Sequence, residues 1–272
     1  MLLSKKPKAN LNNIFGFYRL MILKNLNIFG SRASMTRLPF NTDIHCHVLP
    51  GVDHGAKDNA MACQLLERQY DWGLERTIFT PHVTDDVYPN DKTSIETAFQ
   101  KFISDSQTSI PDGMSLDVSA EYRLDSRFEK QLKDGNLIPL PDNHLLVELP
   151  FTICPGPDHI NSMLFEIEGL GLKPILAHPE RYIYFHTRDL SNYITLHNRG
   201  VEFQINLLSL AGYHGENERQ TALRLIDKGL VDYCATDLHH FRHVDAIEKY
   251  LSSHSCQPTL KKLATLIKND KL

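Results

Sequence analysis

Two histidines one residue apart, His45 and His47, sit in the segment Asp43-Ile-His-Cys-His-Val-Leu-Pro-Gly-Val-Asp-His54. On an extended chain, residues i and i+2 project to one side, so both imidazoles reach one cavity, where their ring nitrogens can ligate a divalent cation. Asp237 and His239 repeat the spacing. In a chain with 14 histidines a lone HxH pair is weak evidence, and any single histidine is more simply read as a surface or core residue. The weight lies in the rest of the set: His82 in Thr-Pro-His, Glu121 in Ala-Glu-Tyr, Glu148 in Val-Glu-Leu-Pro and His178 in Ala-His-Pro-Glu-Arg181, each closing a β-rich run. Imidazoles and carboxylates without a placed thiolate suit Zn, Mn or Fe, and Cys46 points away from its two neighbours. Two or three close cations need a bridging carboxylate, for which Glu121 and Glu148 both qualify. Such a cluster acidifies a bound water and clamps phosphoryl oxygens during in-line attack, so phosphoester hydrolysis is the chemistry expected.

The elements that must position these residues follow from periodicity. Strands are predicted at 42–47, 76–82, 115–123, 144–149, 173–178, 201–206 and 231–237, alternating with helices near 57–72, 93–107, 125–134, 158–170, 188–199, 216–229 and 242–253. Gly73, Gly171, Gly200 and Gly229 stand where those helices should end. Alternating βα units predict a parallel sheet, closed as a barrel or open and doubly wound. In either fold chemistry gathers at the carboxyl ends of the strands, where six of the seven runs deliver His, Asp or Glu. Only the run ending at Asn206 does not. His144, His159, His186, His197, His214, His243 and His254 lack that placement and read as ordinary.

Composition narrows the alternatives. With 42% hydrophobic residues in 272, one substantial core is affordable. Lys plus Arg number 29 against 33 Asp plus Glu, a formal charge of -4, so nucleic acid is not an expected partner. Five scattered cysteines without a CxxC spacing fit a reducing compartment, and the expected location is the cytoplasm. Lys5, Lys6 and Lys8 precede an apolar stretch at 15–23, but Tyr18 and Arg19 break it, and no run approaches the roughly 18 apolar residues of a membrane span. Residues 1–40 are therefore expected to be an N-terminal extension, poorly ordered or reflecting a start assigned too early, with Met21 or Met35 as the true one. Residues 41–272 are expected to form one domain. A thiol-based tyrosine phosphatase needs Cys-x5-Arg; the residues six beyond the five cysteines are Val52, Gln69, Ile160, His240 and Lys262, so none qualifies. GxSxG, GxxxxGK[ST] and GxGxxG patterns are likewise missing.

The phrases Asp-Ile-His-Cys-His-Val-Leu-Pro-Gly-Val-Asp-His-Gly-Ala-Lys-Asp, Thr-Pro-His, Leu-Val-Glu-Leu-Pro and Leu-Ala-His-Pro-Glu-Arg-Tyr resemble the polymerase-and-histidinol-phosphatase (PHP) superfamily. Within it they are most similar to the bacterial capsule and exopolysaccharide protein-tyrosine phosphatases, over residues 41–253. The resemblance implies a distorted (β/α)7, TIM-like barrel with three divalent metal ions, Mn first and Zn or Fe as alternatives, at the rim where its strands end. It implies His45, His47 and Asp237 on one ion, Glu121 bridging to a second held by Glu148 and His178, and His54, His82 and His239 on a third. His54 stands where the phosphatase branch often has Asp, a departure toward the all-histidine third site of other branches. Arg181 and Arg242, each three residues after a ligand histidine, are candidate phosphate-binding guanidiniums. The implied activity is hydrolysis of phosphotyrosine in protein by direct attack of metal-bound hydroxide, the substrate being the tyrosine-rich tail of a bacterial tyrosine kinase in polysaccharide export. A metal-bound water or His240 would protonate the leaving group. Alternatives are a phosphatase for a small ester such as histidinol phosphate, a nuclease of the same superfamily, or a metal-binding regulatory module without catalysis. Stable membrane insertion is not expected, and self-association is compatible with the sequence.

Overall fold

The structure, a computed structural model, describes residues 35–272. The extension expected over 1–40 lies mostly outside the described residues; its last part, Leu38 and Phe40, is buried in the main core, and Thr36 N–H donates to Leu251 O. Strands and helices alternate: β1 (Thr42–Cys46), α1 (Asn59–Asp71), β2 (Arg76–Phe79), β3 (His82–Val83), α2 (Lys92–Ser106), β4 (Ser115–Val118), β5 (Glu121–Arg123), α3 (Ser126–Lys133), β6 (His144–Glu148), α4 (Pro157–Gly169), β7 (Lys173–Ala177), α5 (Ser191–Asn198), β8 (Glu202–Asn206), α6 (Leu207–Leu210), α7 (Glu216–Lys228), β9 (Tyr233–Ala235), α8 (Phe241–Leu251) and α9 (Cys256–Leu263). Asp58, Asp91 and Asp125 begin α1, α2 and α3 by accepting from backbone N–H groups of the first turn, and Gly229 ends α7 at φ +71°, a conformation that costs glycine little.

All strand pairing in the sheets is parallel. β1-β2-β4 form one sheet and β3-β5-β6-β7-β8-β9 the other. The runs expected as single strands at 76–82 and 115–123 are each divided. Pro81 brings no N–H to the ladder, and the chain shifts there from β2 in the first sheet to β3 in the second. Ser119 and Ala120 make the same passage between β4 and β5. Beyond β9, Asp237 N–H donates to His45 O and His47 N–H to Leu238 O, both at 2.9 Å, so the end of β9 meets β1.

Two apolar clusters result. The larger joins strands to helices and contains Trp72, Phe79, Phe102, Phe128 and Phe203. The smaller holds strand residues only, apart from Leu140 and Leu272: Ile44, Ile78, Leu146, Ile175, Ala177, Tyr233 and Ala235. Four of these, Ile44, Leu146, Ala177 and Ala235, lie one or two residues before a candidate ligand, so an apolar layer underlies the rim. A ninth helix and tail, unforeseen from the sequence, tie the other end of the sheets. Asn269 accepts from Cys234 N–H and donates to the carbonyls of Thr42 and Cys234, while Asp270 accepts from the N–H groups of Asn41 and Thr42. Among the described residues, no helix is long and apolar enough to cross a membrane.

Candidate metal centre

Backbone irregularities aim the ligands. In β1 the register against β2 slips between Asp43 and Cys46, so an extra residue is accommodated. Ile44 can then join the apolar layer while His45 and His47 face the pocket side and Cys46 packs into the large core. His178 and Asp237 adopt φ +36° and +50°, the left-handed region that costs a residue with a Cβ. Ala177 thereby stays in the apolar layer while the next side chain, His178, lines the pocket, a placement that successive residues of a regular strand do not share.

Four overlapping triplets of donor atoms, each within 4.8 Å of one another, occupy this rim: His47, His82 and His239; His45, His47 and Glu121; His45, His178 and Asp237; and His82, Glu121 and Glu148. Eight of the nine expected ligands are thus brought together. His54 lines the same pocket, with its ring 4.4 Å from that of His239 and stacked 5.1 Å from that of His82, but belongs to none of the triplets. Glu121 is central: its carboxylate lies 3.5 Å from His45 Nε2, 3.4 Å from His47 Nε2, 2.9 Å from His178 Nε2 and 2.8 Å from His82 Nδ1. Asp237 Oδ1 lies 3.5 Å from His45 Nε2 and 3.4 Å from His47 Nε2.

Neighbouring groups fix which ring nitrogen is left for a cation. His45 Nδ1 donates to Gln204 Oε1 and His47 Nδ1 to Asp53 Oδ2, both at 2.7 Å, and His239 Nδ1 donates to Asp237 O at 2.8 Å. Each Nε2 then presents a lone pair inward. The Nε2 atoms of His45 and His47 face each other at 3.2 Å, and His239 Nε2 and Glu121 Oε2 are buried without an aligned hydrogen bond. Two lone pairs at that separation repel unless a cation or proton lies between them. The titration pattern carries the same demand. Burial pushes Glu148 well above the usual carboxylate range, and the charge of Glu121 adds to the shift. Burial also acts to raise Glu121, but the surrounding histidines, His45 first, outweigh it and hold Glu121 well below that range. Burial and then His47 hold His239 well below the ordinary histidine value, while burial and then Arg181 bring His178 to about 4. Burial acts to lower His45 and His47, but Glu121 beside the first and Asp53 beside the second outweigh it and raise both above the ordinary histidine value. Imidazoles and carboxylates that call for positive charge between them fit divalent cations.

Several contributors were not singled out from the sequence. Asp53 orients His47 and also accepts from His82 N–H at 3.1 Å. Gly55 permits the intervening loop to fold onto His47, because a Cβ there would lie 1.9 Å from His47 O. β8, which supplies no ligand, supplies orienting amides instead: Gln204 on His45, and Asn206, whose Nδ2 donates to Asp237 Oδ2 at 2.6 Å. Arg181 donates to the same oxygen at 3.1 Å and stacks on Phe151, 4.7 Å from the ring centre. It lines a cavity of about 340 Å3 with six of the candidate ligands, His54, His82, Glu148, His178, Asp237 and His239, as do Arg123, Tyr88, Tyr213 and His214. Arg242, three residues past His239, does not line that cavity: it falls in the first turn of α8, which begins at Phe241 and leaves its side chain exposed. Arg123 is the second guanidinium there, engaged by Asp86 and Asp125.

Residues 41–263 match the family model for capsular polysaccharide synthesis, CpsB/CapC, and the chain belongs to that family. It is 30% identical over 203 residues to the tyrosine-protein phosphatase YwqE of Bacillus subtilis, covering 74% of this chain and 78% of that one. It is 25% identical over 205 residues to the tyrosine-protein phosphatase CpsB of Streptococcus pneumoniae, covering 73% and 82%. Among solved structures, it is similar to one described with YwqE and CpsB as metal-dependent tyrosine phosphatases, with a TM-score of 0.68, 28% identity and coverage of 85% of this chain and 94% of that chain.

Proposed function

We propose that this chain is a metal-dependent phosphatase that hydrolyses phosphotyrosine in protein, in capsule or exopolysaccharide synthesis. The observation that carries this reading is the convergence of eight ligand-type side chains in four overlapping donor triplets, five of them lining a cavity that also holds Arg181. The finer reading is three divalent ions, Mn first. His45, His47 and Asp237 would hold one, Glu121 would bridge to a second on Glu148 and His178, and His82 and His239, with His54 beside them, would hold the third. The meeting of β9 with β1 and the strand-only apolar layer support a distorted (β/α)7 barrel formed by one domain over 41–272. The proposed substrate is the tyrosine-rich tail of a bacterial tyrosine kinase, met in the cytoplasm.

When bound, the ions supply an acidified water and neutralise phosphoryl charge. The chain's own groups do the positioning. Arg181, braced by Phe151 and Asp237, presents guanidinium donors to phosphate oxygens at the pocket. Phe151 and Tyr213, 43% and 41% exposed, offer apolar walls at the cavity to an aromatic ester, a feature that favours a tyrosyl substrate over histidinol phosphate. Asp53, Gln204 and Asn206 hold His45, His47 and Asp237 in place, so the site is preorganised.

The test is chelation of purified protein, elemental analysis, and reconstitution with Mn, Zn or Fe, assayed on phosphotyrosine peptides, phosphoserine peptides and histidinol phosphate. Metal-restored activity selective for phosphotyrosine is expected, and His45→Ala or Asp237→Ala should abolish it with the fold retained. Full activity in either folded variant, or selectivity for the small ester, would overturn the proposal.

A further inference from the structure

We propose that His214 is a further catalytic residue of this pocket, donating a hydrogen bond from Nε2 to the phenolic oxygen as it departs from phosphorus; the assignment rests on the phosphotyrosine reading above. Seven histidines line the cavity: His54, His82, His178, His214, His239, His240 and His243. The first three and His239 belong to, or stand beside, the candidate ligand set. His243 is committed to that set's backbone, with Nδ1 3.2 Å from Asp237 O and 3.3 Å from His239 N. His240 flanks a ligand directly and has no hydrogen bond at Nδ1. His214 alone is anchored independently of the ligands and so keeps its position whatever ions they hold.

The anchor holds the ring. Ser209, fully buried in α6, places Oγ 3.0 Å from His214 Nδ1. The buried Glu180 accepts from Asn206 N–H through Oε1 and also shares a hydrogen bond with Ser209. With the Ser209 hydroxyl turned to His214 Nδ1, Nε2 carries the hydrogen on the opposite edge of the ring. The loop is stiffly built: Tyr213 N–H donates to Leu208 O, Gly212 N–H to Ser209 O, and the Tyr213 ring packs edge-on to both His214 and His243. Burial first, and then the charge of Arg181, hold the His214 imidazole down at about 3, so it acts as a neutral donor.

A neutral imidazole suits stabilisation of a leaving oxygen rather than full proton transfer. The attacking water's oxygen forms the new bond to phosphorus, and the phosphorus–phenol bond breaks with its electron pair passing to the phenol oxygen. His214 stabilises that oxygen by its N–H, and the phenol takes its proton from solvent. Such help matters most for a poor leaving group such as tyrosine, whose phenol has a pKa of about 10, and least for an acidic phenol.

The readout is the dependence of kcat/KM on leaving-group acidity in Mn-reconstituted protein, from phosphotyrosine peptide to p-nitrophenyl and 2,4-dinitrophenyl phosphate. His214→Ala is expected to lose on the order of 10²-fold on the peptide and much less on the dinitrophenyl ester. His214→Gln, whose amide nitrogen can occupy the place of Nε2, should recover much of that loss, and Ser209→Ala should show a weaker form of the same slope. Equal losses on all three esters in His214→Ala and His214→Gln, or wild-type rates in His214→Ala, would overturn the assignment while leaving the phosphatase reading intact. Wild-type protein inactive on every ester with every metal would overturn both.

Discussion

At the scale of single residues, the centre depends on side chains that never touch the cation. Asp53 takes the Nδ1 hydrogen of His47 at 2.7 Å, and its own ionisation is favoured well below the usual range because the histidine contacts outweigh the effect of burial. Asp53→Asn removes the charge and leaves the shape. It should lower metal affinity about 10- to 100-fold with little change in thermal unfolding of the metal-free protein, as read by competition with a chromophoric chelator; unchanged affinity would mean that His47 is oriented by packing alone. The two arginines separate just as sharply. Arg181→Ala should reduce kcat/KM on phosphotyrosine peptide on the order of 10²-fold, whereas Arg242→Ala, exposed on α8, should remain near wild type. Equal effects of the two substitutions would count against Arg181 as the phosphate ligand. Periodicity could find most of the ligands because they close β-rich runs in the sequence, even where, as at His82 and Glu121, the structure divides the run and the ligand opens the next strand. It could not find Asp53, whose role follows from a loop folding back onto His47, or His214, carried by the loop after the one strand that offers no ligand.

At the scale of elements, the strand ends opposite the metal centre are joined by a charged cluster. Glu202, at the start of β8, accepts from Tyr233 of β9 and Lys268 of the tail, each at 2.9 Å, and lies 3.1 Å from His144 Nε2 of β6. Burial acts to raise Glu202, but His144 and Lys268 outweigh it and bring it to about 2. With the folded value depressed, the stabilisation is fully present above the unfolded carboxylate value of about 4.3 and is lost as pH falls through the folded value. Glu202→Gln should therefore cost roughly 1–2 kcal/mol at neutral pH, after discounting for partial exposure, with the difference from wild type shrinking between about pH 4 and pH 2. Urea unfolding at several pH values measures it; a constant difference would assign the effect to packing. The sequence placed His144 and His197 outside the active rim, and both instead join carboxylates in this lower network, His197 through Asp232.

At the scale of the whole molecule, the candidate ligands come from β1, β3, β5 and β6 and from the turns after β7 and β9. A cation held by them links strands far apart in the chain and binds the folded state alone. Reconstitution should raise stability by about 2.7 kcal/mol at a free metal concentration 100 times Kd, with a matching rise in Tm that a chelator reverses. Calorimetry of chelated and Mn-loaded protein reads this directly. An unchanged Tm under conditions where elemental analysis finds bound metal would show that the ligands are not drawn from across the fold.

The sequence by itself determined the alternation of strands and helices, the parallel α/β character and the ligand types that close the β-rich runs, because these rest on local periodicity and on chemistry written in residue type. Only the tertiary structure decided how the rim is aimed. The slip in β1, the left-handed backbone at His178 and Asp237 and the break at Pro81 depend on which neighbours share the layer beneath, and strand propensity does not encode those neighbours. The same reason divides His214 from the histidines with no part in the pocket. Its neighbour Ser209 is five residues away, but the cavity that gives the pair meaning is assembled from strands more than a hundred residues apart.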